Sequence, residues 1–142
     1  MADPFGLDRF VEAQAGDYAQ TLAELRRGRK DSHWMWFIFP QVAGLGQSAM
    51  AKYFAIGSAA EGNAYLSHPL LGKRLEECTR ALLARAGERP EDIMGTVDAM
   101  KLRSSMTLFA ALAGPDSPFA ACLNAFFDGR PDPATIAFLE RA

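Results

Sequence analysis

Residues 97–113, VDAMKLRSSMTLFAALA, constrain the fold more than any other stretch of the chain. Their apolar side chains recur at helical spacing but do not keep to one face. At ~100° per residue, Val97, Leu108 and Leu112 point one way. Leu102, Phe109 and Met106 continue around the helix, and Met100 and Ala111 lie on the far side. A surface helix carries one apolar stripe, whereas a helix apolar nearly all round is buried and needs neighbours on every side. Yet Asp98, Lys101, Arg103, Ser104, Ser105 and Thr107 are interleaved within it. An unpaired buried polar group costs ~1–3 kcal/mol, and a buried lysine without a counter-charge costs more. Asp98 stands three residues before Lys101 and can pair with it, while Lys101 and Ser105, four apart, share a side. Either the hydroxyls bond back to the preceding turn in a closed network, or Lys101 and Arg103 edge a pocket that takes an anionic group.

The rest of the chain supplies the neighbours as further helices. Leu7, Phe10, Val11 and Gln14 predict an opening helix. Tyr18, Leu22 and Leu25 predict a second, with Asp17 as cap and Gly28 as stop. Ser48 to Ile56 reads as a short helix, and Ser58 with Glu61 as a capping box for the next, running to about Leu66. Pro69 belongs in the first turn of a helix reaching about Ala86, with Leu71, Leu75, Cys78 and Leu82 as its buried stripe and Glu76 paired to Arg80 outside. Pro90 opens a short turn that Gly95 ends. Ser117–Pro118 and Asp132–Pro133 are cap-plus-proline starts of two last helices, the first stopped by Gly129. No repeat, linker or alternating polar–apolar run appears. The expectation is an all-α, single multihelical globular domain of about seven or eight helices over residues 1–142.

One segment fits this scheme poorly. SHWMWFIFPQ, residues 32–41, holds six consecutive apolar residues from Trp34 to Phe39. So short a run reads as helix or strand. The chain offers it no partner strand, which favours a short helix capped by Asp31 or Ser32 and broken at Pro40. It is either a core plug or the aromatic wall of a binding site, because His33 and Gln41 bracket it with polar groups and small-molecule pockets combine apolar walls with a few convergent polar groups.

Composition narrows the function classes. With 49% hydrophobic and 23% charged residues the chain is that of an ordinary globular protein. A net charge of −2 gives no global drive toward nucleic acid or anionic membrane. The cations of RRGRK, residues 26–30, are expected to complement the negative end of the preceding helix rather than form a nucleic-acid patch. The start MADPFGLD has neither a basic nor an apolar signal region, and no run approaches the ~18 apolar residues of a membrane span. The two cysteines, Cys78 and Cys122, form no disulfide framework, so a cytoplasmic protein is expected. With His33 and His68 they show no metal-ligand spacing. No P-loop, G-x-G-x-x-G or G-x-S-x-G occurs, so no cofactor and no catalytic residue is assigned.

HWMWFIFPQ, LSHPLLGKRLEEC at 66–78 and KLRSSMTLF at 101–109 resemble the signatures of an uncharacterised, mainly bacterial family, domain-of-unknown-function family eighteen-ten. The resemblance extends over nearly the whole chain, from DPFGLDRFVEAQ to FFDGRPDP. It implies an all-helical single domain and assigns no activity. Many members of that family carry the label "calpastatin". Inhibitors of that name resemble disordered, polar repeats, which this apolar, helix-capped chain does not, so protease inhibition is not expected. The signatures contain His33, Trp34, Trp36, Pro40 and Gln41, then His68, Gly72 and Arg74, then Lys101, Ser104, Ser105 and Thr107.

Two functions follow. In the first, the protein is a small-ligand domain, with catalysis left open. Trp34 or Trp36 stacks on a ring, Lys101, Arg103 or Arg74 holds a phosphate, His33 shuttles protons, and Gln41, Ser104 and Ser105 complete the site. A nucleotide, nucleotide-sugar or ADP-ribose-like ligand suits that mixture. In the second, it is a non-enzymatic interaction or structural domain, with a homodimer among its forms. The first requires His33, Lys101 and a tryptophan to line one solvent-reachable cleft of at least ~300 Å³.

Overall fold

The computed structural model describes residues 3–141. Ten helices follow one another: α1 Asp8–Ala15, α2 Tyr18–Arg27, α3 Met35–Ile38, α4 Ala49–Tyr53, α5 Ala59–Ser67, α6 Leu71–Leu83, α7 Pro90–Met94, α8 Thr96–Ala113, α9 Pro118–Phe127 and α10 Pro133–Arg141. Seven of them have seven or more residues, and no strand occurs among the described residues. The fold is therefore all-α. Its seven longer helices, with the short pieces α3, α4 and α7 between them, make the expected multihelical domain.

α8 is the axis of the structure. It packs against α5, α7, α9 and α10, and α6 lies against α2, α5 and α9. Leu102, Met106, Leu108 and Phe109 of α8 are fully buried and share one core with Leu71, Leu75, Cys78 and Leu82 of α6, as their spacing predicts. The first turns of α8 depart from the expected all-round burial: Val97 and Met100 are exposed.

Local punctuation explains most helix ends. Ser58 Oγ accepts from the Glu61 N–H at 3.1 Å, and Ser117 Oγ from the Ala120 N–H at 3.2 Å. Asp132 Oδ2 accepts from both the N–H and the hydroxyl of Thr135, at 3.1 and 2.6 Å. Gly28 closes α2 in the left-handed region at φ 78°, where a side chain is strained.

Several expected caps differ. Asp17 stands at its N-cap position without a side-chain bond. The capping box at Ser58 is half formed, because the Glu61 carboxylate turns to the Gly57 N–H at 2.9 Å and Arg9 at 2.7 Å. The helix after Ser48 ends at Tyr53, since Ile56 is drawn into a bridge with Val42. α6 starts after Pro69, with His68 Nδ1 accepting the Leu70 and Leu71 N–H groups, and ends at Leu83.

The 32–41 segment forms the short helix α3, but neither Asp31 nor Ser32 caps it. Both residues bind backward instead. Glu24 of α2, fully buried, accepts from the Asp31 N–H at 2.8 Å, the Ser32 N–H at 3.0 Å, the Ser32 hydroxyl and Trp34 Nε1 at 2.9 Å. Gln20 Nε2 donates a further bond at 2.8 Å. One carboxylate thus fixes the entry to the aromatic run.

Candidate functional site

A cleft of about 390 Å³ opens between the 41–51 segment and the exposed first turns of α8. Trp36 of α3 and Gln41 form part of its wall, Leu45, Gln47, Ser48 and Ala51 a second part, and Val97, Met100, Lys101, Arg103 and Ser104 the α8 side, with Asp132 at one edge. The 41–51 wall is held at its base. The Ile56 N–H donates to the Gln41 carbonyl at 2.8 Å, and the Ala43 N–H to the Ile56 carbonyl at 2.9 Å. The Arg9 guanidinium reaches across to the Tyr53 and Ala55 carbonyls at 2.7 and 2.9 Å. Its ion pair with Glu61, largely buried on both sides, keeps it there.

Lys101 is the chief charge of the cleft. Its Nζ lies 4.7 Å from the Trp36 ring centroid and 3.5 Å from Asp98 Oδ1. Asp98 is shared, since its Oδ2 takes a 2.8 Å ion pair from Lys30. Lys30, with only 8% of its side chain exposed, also packs 5.0 Å from the centroid of Trp34. A continuous chain of contacts therefore runs from Glu24 through Trp34, Lys30, Asp98 and Lys101 to Trp36. It ties the aromatic segment to α8. Of the cations of 26–30, Arg26 and Arg27 lie in the last turn of α2, at its negative end, while Arg29 pairs with Asp31 and Lys30 with Asp98.

The remaining polar groups of α8 divide. Ser104 Oγ donates to the Met100 carbonyl at 3.2 Å, and Thr107 Oγ1 to the Arg103 carbonyl at 2.8 Å, the back-bonding expected of mid-helix hydroxyls. Arg103 donates to the Arg130 and Pro131 carbonyls at 2.8 and 2.7 Å, bracing the segment before α10. Ser105 is sealed in the core, and its Oγ has no hydrogen-bond partner.

Of the eight residues singled out from the sequence, Trp36, Gln41, Lys101 and Ser104 line the cleft together. His33, Trp34, Arg74 and Ser105 do not. His33 is exposed at the surface outside the cleft, so the expected convergence of His33, Lys101 and a tryptophan fails at His33, and its proton-shuttle role falls with it, while Lys101 and Trp36 do meet there. Trp34 is buried and donates its N–H to Glu24. Arg74 stacks 4.5 Å from the Tyr18 ring centroid and donates to Gln14 Oε1 at 3.3 Å. Sequence inspection overlooked the Glu24 and Arg9 anchors and the Leu45–Ala51 wall. Glu24 falls well off the helical stripe of Tyr18, Leu22 and Leu25, so nothing in the periodicity of α2 signals its burial.

The electrostatics leave neither cysteine poised as a nucleophile. Burial pushes the Cys78 and Cys122 thiols up to about 12, so neither is a thiolate near neutrality. Burial alone would raise the Glu24 carboxyl. Hydrogen bonds from Ser32, Trp34, Asp31 and Gln20 outweigh it and hold the group at about 2. No group of three or more His, Cys, Asp or Glu residues able to hold a metal ion occurs among the described residues. No helix among them is long and apolar enough to cross a membrane.

Fold and cleft together define a helical domain with a mixed polar and apolar surface cleft, whose charged residues are Lys101, Arg103 and Asp132. Residues 4–139 match the family described as "Protein of unknown function (DUF1810)", and the chain belongs to that family. The chain is also similar to the conserved hypothetical protein Rv1873 from Mycobacterium tuberculosis, known from a crystal structure. The two are 48% identical, with a TM-score of 0.94 over 97% of this chain and 99% of that one. No curated protein matches the chain.

Proposed function

We propose that the cleft beside Lys101 binds a small phosphate-bearing ligand, nucleotides included, and that the protein is a ligand-binding domain. The observation that carries this reading is the charge arrangement at Asp98. One carboxylate serves two ammonium groups, and Lys30 holds it at 2.8 Å against 3.5 Å for Lys101. Lys101 is the more exposed of the two, at 24% against 8% of the side chain. Its ammonium has three donors, so a surplus of positive charge and unused N–H groups faces the cleft. Arg103 adds a second cation whose hydrogen bonds run to uncharged carbonyls. A phosphate would gain charge-assisted hydrogen bonds there, and Gln41 and Ser104 stand beside it. The cleft lining contains no histidine or cysteine, so no catalytic step is assigned.

The test is a thermal-shift screen of nucleotides and sugar phosphates. A ligand at 100 times its Kd adds ~2.7 kcal/mol, which for a chain of this size raises Tm by roughly 5–10 °C. Lys101→Met should abolish that shift. The absence of any response at millimolar ligand would contradict the reading. A structural or interaction domain is the second reading, favoured by the back-bonded Ser104 and Thr107 and by the bracing role of Arg103. On that reading Lys101→Met alters stability alone.

A further inference from the structure

The exposed large apolar side chains among the described residues are Met50, Tyr53, Val97 and Met100. Two of the four, Val97 and Met100, line the cleft, and each is 67% exposed. Their position relative to the cation matters. Val97 stands four residues before Lys101 on α8 and so shares its face, and Met100 directly precedes it. Leu45 and Ala51 line the same cleft from the 41–51 segment. Apolar surface exposed inside a cleft, rather than scattered singly, marks a place where something apolar binds.

A hydrophilic anion held by Lys101 would leave Val97, Met100 and Leu45 in water. Resting on the anion-binding reading above, we infer that the ligand of this cleft is amphipathic: one anionic head at Lys101, carried on an apolar body that covers Val97 and Met100. The body is a single small molecule free in solution, on the scale of a cleft of about 390 Å³. The complementarity is in charge as well as in surface, because the cation and the apolar pair lie within five residues of one helix.

The test is calorimetric titration of the full chain with methyl, butyl and hexyl phosphate, each below its micelle threshold. Each methylene that enters the cleft should tighten Kd about fourfold. The double substitution Val97→Gln and Met100→Gln changes only exposed side chains. It should flatten this chain-length dependence, while methyl phosphate still binds. If all three phosphates bind equally, the amphipathic ligand is refuted while the anion site stands. If none binds, both fall. Hexanol binding as tightly as hexyl phosphate would remove the anionic head from the account. Capture by phosphatidic acid vesicles without binding of monomeric hexyl phosphate would replace the soluble ligand by a lipid surface. A dimer that the double substitution dissociates, with no phosphate bound, would make Val97 and Met100 a contact between copies of this chain and overturn the inference.

Discussion

Glu24 offers the sharpest stability prediction, because a single buried carboxylate accepts five hydrogen bonds at the entrance to the aromatic segment. Its side chain is fully buried, and it accepts from two backbone N–H groups, the Ser32 hydroxyl, the Trp34 indole and Gln20. These bonds hold the carboxyl at about 2 instead of 4.5. At roughly 1.4 kcal/mol per pH unit, the ionised form contributes ~3 kcal/mol of stability. The folded value lies below the unfolded one, so this contribution is complete above the unfolded value. It is lost as pH falls from about 4.5 towards about 2. Glu24→Gln keeps the shape and removes the charge. Its amide oxygen can still accept, while its NH₂ meets Gln20 and the Ser32 hydroxyl, both of which can turn to accept. The expected loss is therefore ~3 kcal/mol at pH 7, shrinking towards zero as pH approaches 2. Urea unfolding followed by tryptophan fluorescence between pH 2.5 and 7 measures both curves, and Trp34 is itself a reporter. A difference between the two proteins that stays constant with pH, or one below ~0.5 kcal/mol at neutrality, would refute the hydrogen-bonded carboxylate.

Other substitutions probe separate parts of the structure. Ser105→Ala removes a buried hydroxyl that has no partner, so thermal unfolding should show no loss, and a gain of up to ~1 kcal/mol. A loss above 1 kcal/mol would mean that the hydroxyl is bonded in solution. Gly72→Ala would place a Cβ 2.1 Å from the Leu66 carbonyl oxygen. A backbone atom cannot yield as a side chain can, and a cost of ~3 kcal/mol is expected in chemical denaturation, with wild-type stability as the contrary result. Lys30→Met leaves Asp98 with Lys101 as its remaining partner. It should cost ~1–2 kcal/mol, less than the loss of a sole partner, and an unchanged midpoint would count against the contact chain from Glu24 to Trp36.

What was legible in the sequence, and what was not, follows the range of the interactions. Helix starts at Ser117–Pro118 and Asp132–Pro133 and stops at Gly28 and Gly95 depend on residues within one turn, and the structure has them where the pattern puts them. The stripe of α6 and the identity of α8 as the central helix come from periodicity alone. The cap of α3 does not. Asp31 and Ser32 have the right chemistry, but Glu24, seven and eight residues earlier, takes their N–H groups. Arg9 binds carbonyls 44 and 46 residues away, and nothing in the local sequence signals that reach. The same limit divides the site residues. Lys101 and Trp36 meet at the cleft. Trp34, two residues from Trp36, turns into the core, because Glu24 holds its indole N–H there.

On the proposal above, Lys101 presents unneutralised charge to a cleft that takes an anionic ligand. A crystal structure grown with hexyl phosphate tests it most directly. Phosphate oxygens are expected within ~3 Å of Lys101 Nζ, with the alkyl chain against Val97 and Met100. An empty cleft at saturating hexyl phosphate, or a phosphate bound elsewhere with Lys101 still turned to Asp98, would contradict it.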